Sequence, residues 1–313
     1  MKKTIVSTFV GAACALAFST TAVAAPACGK APSGELTAQR VASVQPSFEE
    51  AGLYEGPVWI KDALYFSDFV HSGAFPSRIR KLALDGTVTT FLDDAGSNGL
   101  AVDANGNLLA ATHKYKALSR YAIADGKRTT VAAEYNGQVF DSPNDIAVAK
   151  DGTIYFTDPD YQKAAAPGGQ PVTGIYRVGT DGKVTLVDGS RHNPNGISLS
   201  PKGDILYVNA SDNVLRAYPI VKGVPQTKGA RDLVTGLESA DGMALDCHGN
   251  IYVTEHPAKR VRVFSPQGAP LATIHVDANI TNAAFGGADG KTLYLTGARA
   301  LWSLKLDVTG TPY

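Results

Sequence analysis

The chain has 313 residues, 44% of them hydrophobic and 8% aromatic, enough to bury a substantial core. Its 29 basic residues balance 29 acidic ones, and without the two N-terminal lysines the remainder sits near −2. No basic stripe suits nucleic acid and no charged run suits an anionic membrane, so a small-molecule partner and a monomer are the expectation.

The first element is a leader. Lys2 and Lys3 precede an apolar stretch from Ile5 to about Phe18, and Ala22-Val23-Ala24 offers a small-x-small cleavage site. This reads as a secretory signal peptide over 1–24, which places the mature protein in the periplasm or outside the cell. The stretch is too short, and too interrupted by Ser and Thr, for a membrane anchor. An arm over 25–45 follows, rich in Pro, Gly and Ala, and carries Cys28. Cys14 leaves with the leader, so Cys28 and Cys247 remain. An even pair in an oxidising compartment predicts one disulfide that pins the arm to the body.

From residue 46 to 313 the chain repeats. Glu55, Asn98, Asn144, Asn195, Asp241 and Asn282 recur at spacings between 41 and 51 residues, each ahead of a strand-turn-strand unit. Turn pairs such as Asn105-Gly106, Asp151-Gly152 and Asp289-Gly290 supply the positive φ of tight hairpins. Two further short strands fill each gap, for example SRIRKLALDG with TVTTFLDD. Six units of four strands predict an all-β, six-bladed propeller with four antiparallel strands per blade. The arm, over about Gln39–Val44, is expected to add the outer strand of the sixth blade beside Leu301–Leu306, since joining the chain ends removes an open seam.

In a propeller the residue before each inner strand sits at one mouth of the central channel. The six repeat-opening residues are one Glu, one Asp and four Asn, a ring of oxygen donors without Cys or His. Such a set suits a hard cation. Ca²⁺ tolerates its irregular geometry best, with Zn²⁺, Mn²⁺ and Mg²⁺ as alternatives. A single Asn-Gly pair would be read as a turn; six in phase, one of them a Glu, are not explained that way. An outer ring is expected from Asp68, His113, Asp158, Ser211, Glu255 and Thr296 at the ends of the second strands. Among the remaining histidines, His192 and His256 fall near the mouth, whereas His71, His248 and His275 are expected in solvated turns or outer strands.

Several segments carry a resemblance: EGPVW at 55–59, SPNDIAVAKDGTIYFTDP at 142–159, PNGISLSP at 194–201, DGMALDCHGNIYV at 241–253 and TNAAFGGADGKTLYLT at 281–296. Together they resemble the senescence-marker-protein/gluconolactonase/luciferin-regenerating family over about Leu53 to Leu306. The resemblance implies a metal-dependent lactone hydrolase in which Glu55, Asn195 and Asp241 ligate the metal and Asn144 completes or adjoins the shell. It also implies Asp241 as general acid or base. Asn98, His113 and Asp145 are the candidates for contacts to substrate hydroxyls. The chain departs from the family pattern at Ala111-Thr112-His113-Lys114, at Pro159-Asp160-Tyr161-Gln162 and at Ser142, all expected at the pocket rim. Three readings therefore stay open: a sugar lactonase, the same fold and metal acting on other lactones, aryl esters or phosphotriesters, and a non-catalytic sugar-binding propeller.

Overall fold

A computed structural model describes Met1 and residues 28–163 and 169–311. Apart from Met1, the leader and its cleavage site lie outside the described residues. Among the described residues there are no α-helices, and no helix is long and apolar enough to cross a membrane. The strands form six antiparallel blades around one axis. Blades one to four run in chain order over residues 52–92, 97–132, 146–188 and 194–234, each from an inner strand outward. Blade five spans 240–275 and blade six 280–305.

Each interface between neighbouring blades holds its own apolar cluster, so the core is a ring of six wedges. Leu109 and Phe156 pack between blades two and three, Tyr207 and Met243 between four and five, and Tyr252 and Trp302 between five and six. The same residue types recur because alternate residues of every strand point to opposite faces of its sheet. Tyr65, Tyr155, Tyr207 and Tyr252 occupy equivalent second-strand positions, and all are buried.

The N-terminal arm crosses two blades. Gly34–Thr37 runs parallel to Pro270–His275 as a fifth strand of blade five. Gln39–Arg40 then pairs antiparallel with Trp302 and Ser303 as the fourth strand of blade six, and Val41 N–H donates to Leu301 O. The closing strand is thus shorter than the Gln39–Val44 expected, because Ala42 and Ser43 turn away and Val44 packs into the cluster of Tyr54, Phe66 and Leu301. The strand on blade five was not foreseen. Cys28 and Cys247 are joined in a disulfide with Cα atoms 5.7 Å apart, fixing the start of the arm to the hairpin turn of blade five.

Candidate metal centre and substrate mouth

The local device that aims the site is a bulge. In blades one, two, four, five and six the pairing of inner and second strands slips by one residue where the repeat opens. Glu55 opposes Ser67 but Val58 opposes Tyr65, and Ala240 opposes Glu255 but Met243 opposes Val253. The equivalent slips follow Ser97, Pro194 and Ile280. An extra residue bends the strand and redirects a side chain. Here the redirected residues include Glu55, Asn98, Asn195, Asp241 and Asn282, all close to the axis. Gly196 and Gly242 follow two of them because a Cβ at either would collide with the bulge of the next blade, at Asp241 O and at the Asn282 amide respectively.

Hydroxyls and one amide on the second strands lock the bulges in place. Ser67 Oγ donates to Asn98 O at 2.6 Å, Thr157 Oγ1 to Asn195 O at 2.6 Å and Asn209 Nδ2 to Asp241 O at 2.8 Å. Thr254 and Thr281 continue the belt to Thr281 O and Tyr54 O. Blades one, three and four thereby hold the opening residue of the next blade, and blades five and six the residue just before it, whereas Thr112 of blade two bonds Ala117 O within its own blade. The sequence reading missed this belt, although its signal is there: a Ser or Thr, in phase, directly before Asp68, Asp158 and Glu255.

At one end of the channel lies a cavity of about 660 Å³. Glu55, Asn98, His113, Asn144, Asn195 and Asp241 all line it, so five blades contribute to one mouth. Asp145 does not. It and Asn282 line a second cavity, of about 460 Å³, walled by inner-strand residues of all six blades. Asn144 lines the mouth, whereas its neighbour Asp145, itself a candidate for a substrate contact, lines the second cavity. Asp145 Oδ1 accepts the Ile146 N–H at 3.1 Å, and Asn282 Nδ2 bridges Asp145 Oδ2 (3.3 Å) and Glu55 Oε2 (3.1 Å).

The electrostatics are those of crowded, desolvated acids. Burial, with the charges of Asp241 and Asp145, pushes the Glu55 carboxyl well above the usual carboxylate range. Burial raises Asp145 to about 7. Among the described residues lining the mouth there is no Lys or Arg to offset them. Carboxylates gathered this way are costly unless a cation compensates. The donor set fits a hard divalent ion: two carboxylates bring the compensating charge, and Asn144 and Asn195 add neutral oxygens. The chain also carries a cluster of Cys28, Cys247 and His248, but those thiols are consumed by the disulfide.

The wall above the floor is aromatic and amide-rich. His113 is buried against Phe75, ring centroids 4.6 Å apart, and neither of its ring nitrogens has a hydrogen-bond partner. Asn98 Oδ1 is likewise buried and unpartnered. His71, expected in a solvated turn, instead lines the mouth and accepts from Gln162 Nε2 at 2.5 Å through Nδ1. His256 lines it too, with Nδ1 3.5 Å from Asp241 Oδ2, and this neighbour holds the imidazole above its ordinary pKa. Tyr161 bonds Ser211 Oγ at 3.1 Å. His192 is not among the lining residues.

The remaining acids of the outer ring are structural. Asp68 pairs with Arg80 and accepts from Ser47 Oγ. Asp158 accepts the N–H groups of Asp141 and Ser142, and Glu255 binds Arg260 and Arg262.

Residues 53–299 match the model of the SMP-30/gluconolactonase/LRE-like region. A gluconolactonase of Zymomonas mobilis is 29% identical over 282 residues, covering 77% of this chain and 75% of its own. A 6-deoxy-6-sulfogluconolactonase of Pseudomonas putida is 28% identical over 257 residues, covering 79% and 84%. The solved structure of a gluconolactonase from Xanthomonas campestris superposes with a TM-score of 0.74 at 28% identity, over 88% of this chain and 96% of that one. With the family region reaching into all six blades and covering most of the chain, the chain belongs to the SMP-30/gluconolactonase/LRE-like family.

Proposed function

We propose that this protein is a divalent-metal-dependent lactone hydrolase, with Ca²⁺ as the resident ion and a sugar lactone as substrate. The observation that carries this reading is the convergence of Glu55, Asn144, Asn195 and Asp241, from four blades, on one mouth that has no Lys or Arg among its described lining residues. Family membership and the lactonases among its relatives point the same way.

A lactone is a cyclic ester, and opening it requires attack of water on the carbonyl carbon. A divalent ion held by Glu55, Asn144, Asn195 and Asp241 would supply Lewis-acid polarisation of the carbonyl oxygen. Asp241 accepts the proton of the attacking water and returns one to the ring oxygen as its bond to carbon breaks. His256, with Nδ1 3.5 Å from Asp241 Oδ2, sets an imidazole beside that carboxylate. Tyr161, Gln162 and the buried wall of His113 and Phe75 limit the access of bulk water to one side of the mouth.

A panel of δ-gluconolactone, simple lactones, aryl esters and phosphotriesters, assayed with and without chelator, tests the reading. Lactone turnover should vanish on chelation and return with Ca²⁺. Turnover indifferent to chelation, or confined to aryl esters or phosphotriesters, would remove the assignment. We further propose a periplasmic or secreted location, supported by the leader-like N-terminus and the Cys28–Cys247 disulfide. Cell fractionation of the tagged chain checks it.

A further inference from the structure

The turn at residues 246–250 joins the inner and second strands of blade five, at the end of that blade away from the mouth. The two ends of the inner strand, near Asp241 and near Cys247, lie roughly 20 Å apart. The turn is tightly held. The buried Asp246 carboxylate accepts the N–H groups of His248 at 3.0 Å and Asn250 at 2.9 Å, the Asn250 side-chain amide at 2.8 Å and the Tyr252 hydroxyl at 3.1 Å. It presents Cys247, half-buried, and His248, exposed. With Cys28 from the arm, these side chains bring two sulfurs and an imidazole nitrogen within 4.8 Å of one another.

The disulfide is not the only thing that keeps the two sulfurs side by side. Cys28 O accepts the Thr309 N–H at 3.1 Å, and Cys247 N–H donates to Thr309 O at 3.0 Å, so one residue of the C-terminal segment positions both cysteines through their backbones. Gly29 and Val308 pair as a bridge beside them. His248 turns toward the arm, with Nε2 2.8 Å from Gly29 O. None of these contacts involves the sulfur–sulfur bond, so an open bridge leaves two thiols and an imidazole already gathered. A tetrahedral Zn²⁺ site, with bonds of about 2.0–2.3 Å, needs its ligand atoms about 3.5–3.8 Å apart. Cα atoms 5.7 Å apart put that spacing within reach of side-chain rotation.

We propose that, when the Cys28–Cys247 bridge is open, Cys28 Sγ, Cys247 Sγ and the His248 imidazole bind one Zn²⁺, which pins the arm to blade five in place of the disulfide. The inference is independent of the lactone-hydrolase reading. Thiolates and an imidazole favour a thiophilic ion, whereas the carboxylates and amides of the mouth favour a hard one, so the two sites do not compete for the same metal. Three protein ligands leave a fourth position to water. The thiols exist in the newly made chain before the bridge forms, and again after its reduction. With a phosphine as reductant, the disulfide and one water give two thiols and the phosphine oxide; Zn²⁺ then takes both thiolates and two protons pass to solvent. The bridge and the metal are thus alternative staples at one place.

The test uses the full-length protein with Ca²⁺ in excess to fill the mouth, reduced with a phosphine without air and titrated with Co²⁺ as the probe. Reduced wild type should develop thiolate-to-cobalt charge-transfer absorption that saturates at a single equivalent and is abolished by Zn²⁺. The oxygen donors of the mouth cannot give this band, and the oxidised protein should lack it. Cys28→Ser should lose most of it. His248→Ala removes a ligand outright, so it should weaken Co²⁺ binding by more than the roughly tenfold that loss of an orienting partner costs. Zn²⁺ should also raise the Tm of the reduced protein by several degrees and leave that of the reduced Cys28→Ser, Cys247→Ser protein unchanged. Absence of the band in folded, reduced wild type overturns the proposal. So does a His248→Ala affinity equal to wild type, which would mean two thiols binding metal adventitiously. If reduction unfolds the chain, Zn²⁺ should restore the fold, because binding free energy is then folding free energy; failure to do so overturns the proposal as well.

Discussion

Asp241 and Glu55 sit at the same mouth but in different surroundings. Asp241 lies at the lip, where it meets His256, while Glu55 is buried and tied to Gly56 N–H and Asn282. Asp241→Asn keeps the shape and removes the acid, so kcat on a lactone should fall by about 10³-fold or more with the fold intact by circular dichroism. Glu55 and Asp145 make a second prediction, for chelated protein. Their folded-state pKa values are raised, Asp145 to about 7 from 3.8, so the folded state keeps protons that the unfolded chain has lost. The contribution of Asp145 to stability is complete below about pH 4 and is lost as pH rises through about 7, and that of Glu55 is lost in the same direction. Thermal melts of chelated protein should show this decline, and Asp145→Asn should flatten it. An identical decline in the variant would show that other groups carry it. The carboxylates and amides were legible in the sequence because they recur in phase. The side each one faces was not: Asp145 follows Asn144 directly, yet lines the second cavity.

At the scale of the element, the repeated unit is an inner strand with a bulge, held by the neighbouring blade. Gly196→Ala places a methyl against Asp241 O, the carbonyl that Asn209 also holds. Overpacking of this kind should cost about 1–3 kcal/mol. Because the displaced backbone carries Asp241, divalent-ion affinity by calorimetry should weaken together with Tm. An unchanged ion affinity in a destabilised variant would separate the bulge from the site. The hairpins and their turns were readable from Asn-Gly and Asp-Gly pairs flanked by β-branched and aromatic residues. The bulges were not, since a one-residue slip becomes visible only once the partner strand is in register. His71 was misjudged for a related reason. It lies at the end of blade one's second strand, and only the approach of Gln162 from blade three brings it into the mouth.

For the whole molecule, the question is how a ring of six separable sheets stays closed. The arm answers it twice, by pairing along blade five and then blade six, and the disulfide fixes its start to blade five across 219 residues of sequence. Reduction, or Cys28→Ser with Cys247→Ser, should lower stability by about 2–4 kcal/mol. The doubly substituted protein should show no further loss of Tm with reductant. Deleting residues 25–45 should cost much more, because both paired segments go with the bridge. An arm deletion no worse than the double serine variant would show that the pairing contributes little. The sequence by itself determined the number of blades, the strand order within each and the chemical character of the residues nearest the axis, because a repeat imposes the same local periodicity six times. Tertiary structure alone decided which oxygens share a cavity, which acids are consumed by arginines and backbone amides, and which histidine is left without partners. The first of these outcomes depends on contacts between blades, and the acid pairings on strand register within a blade, neither of which the local sequence pattern encodes.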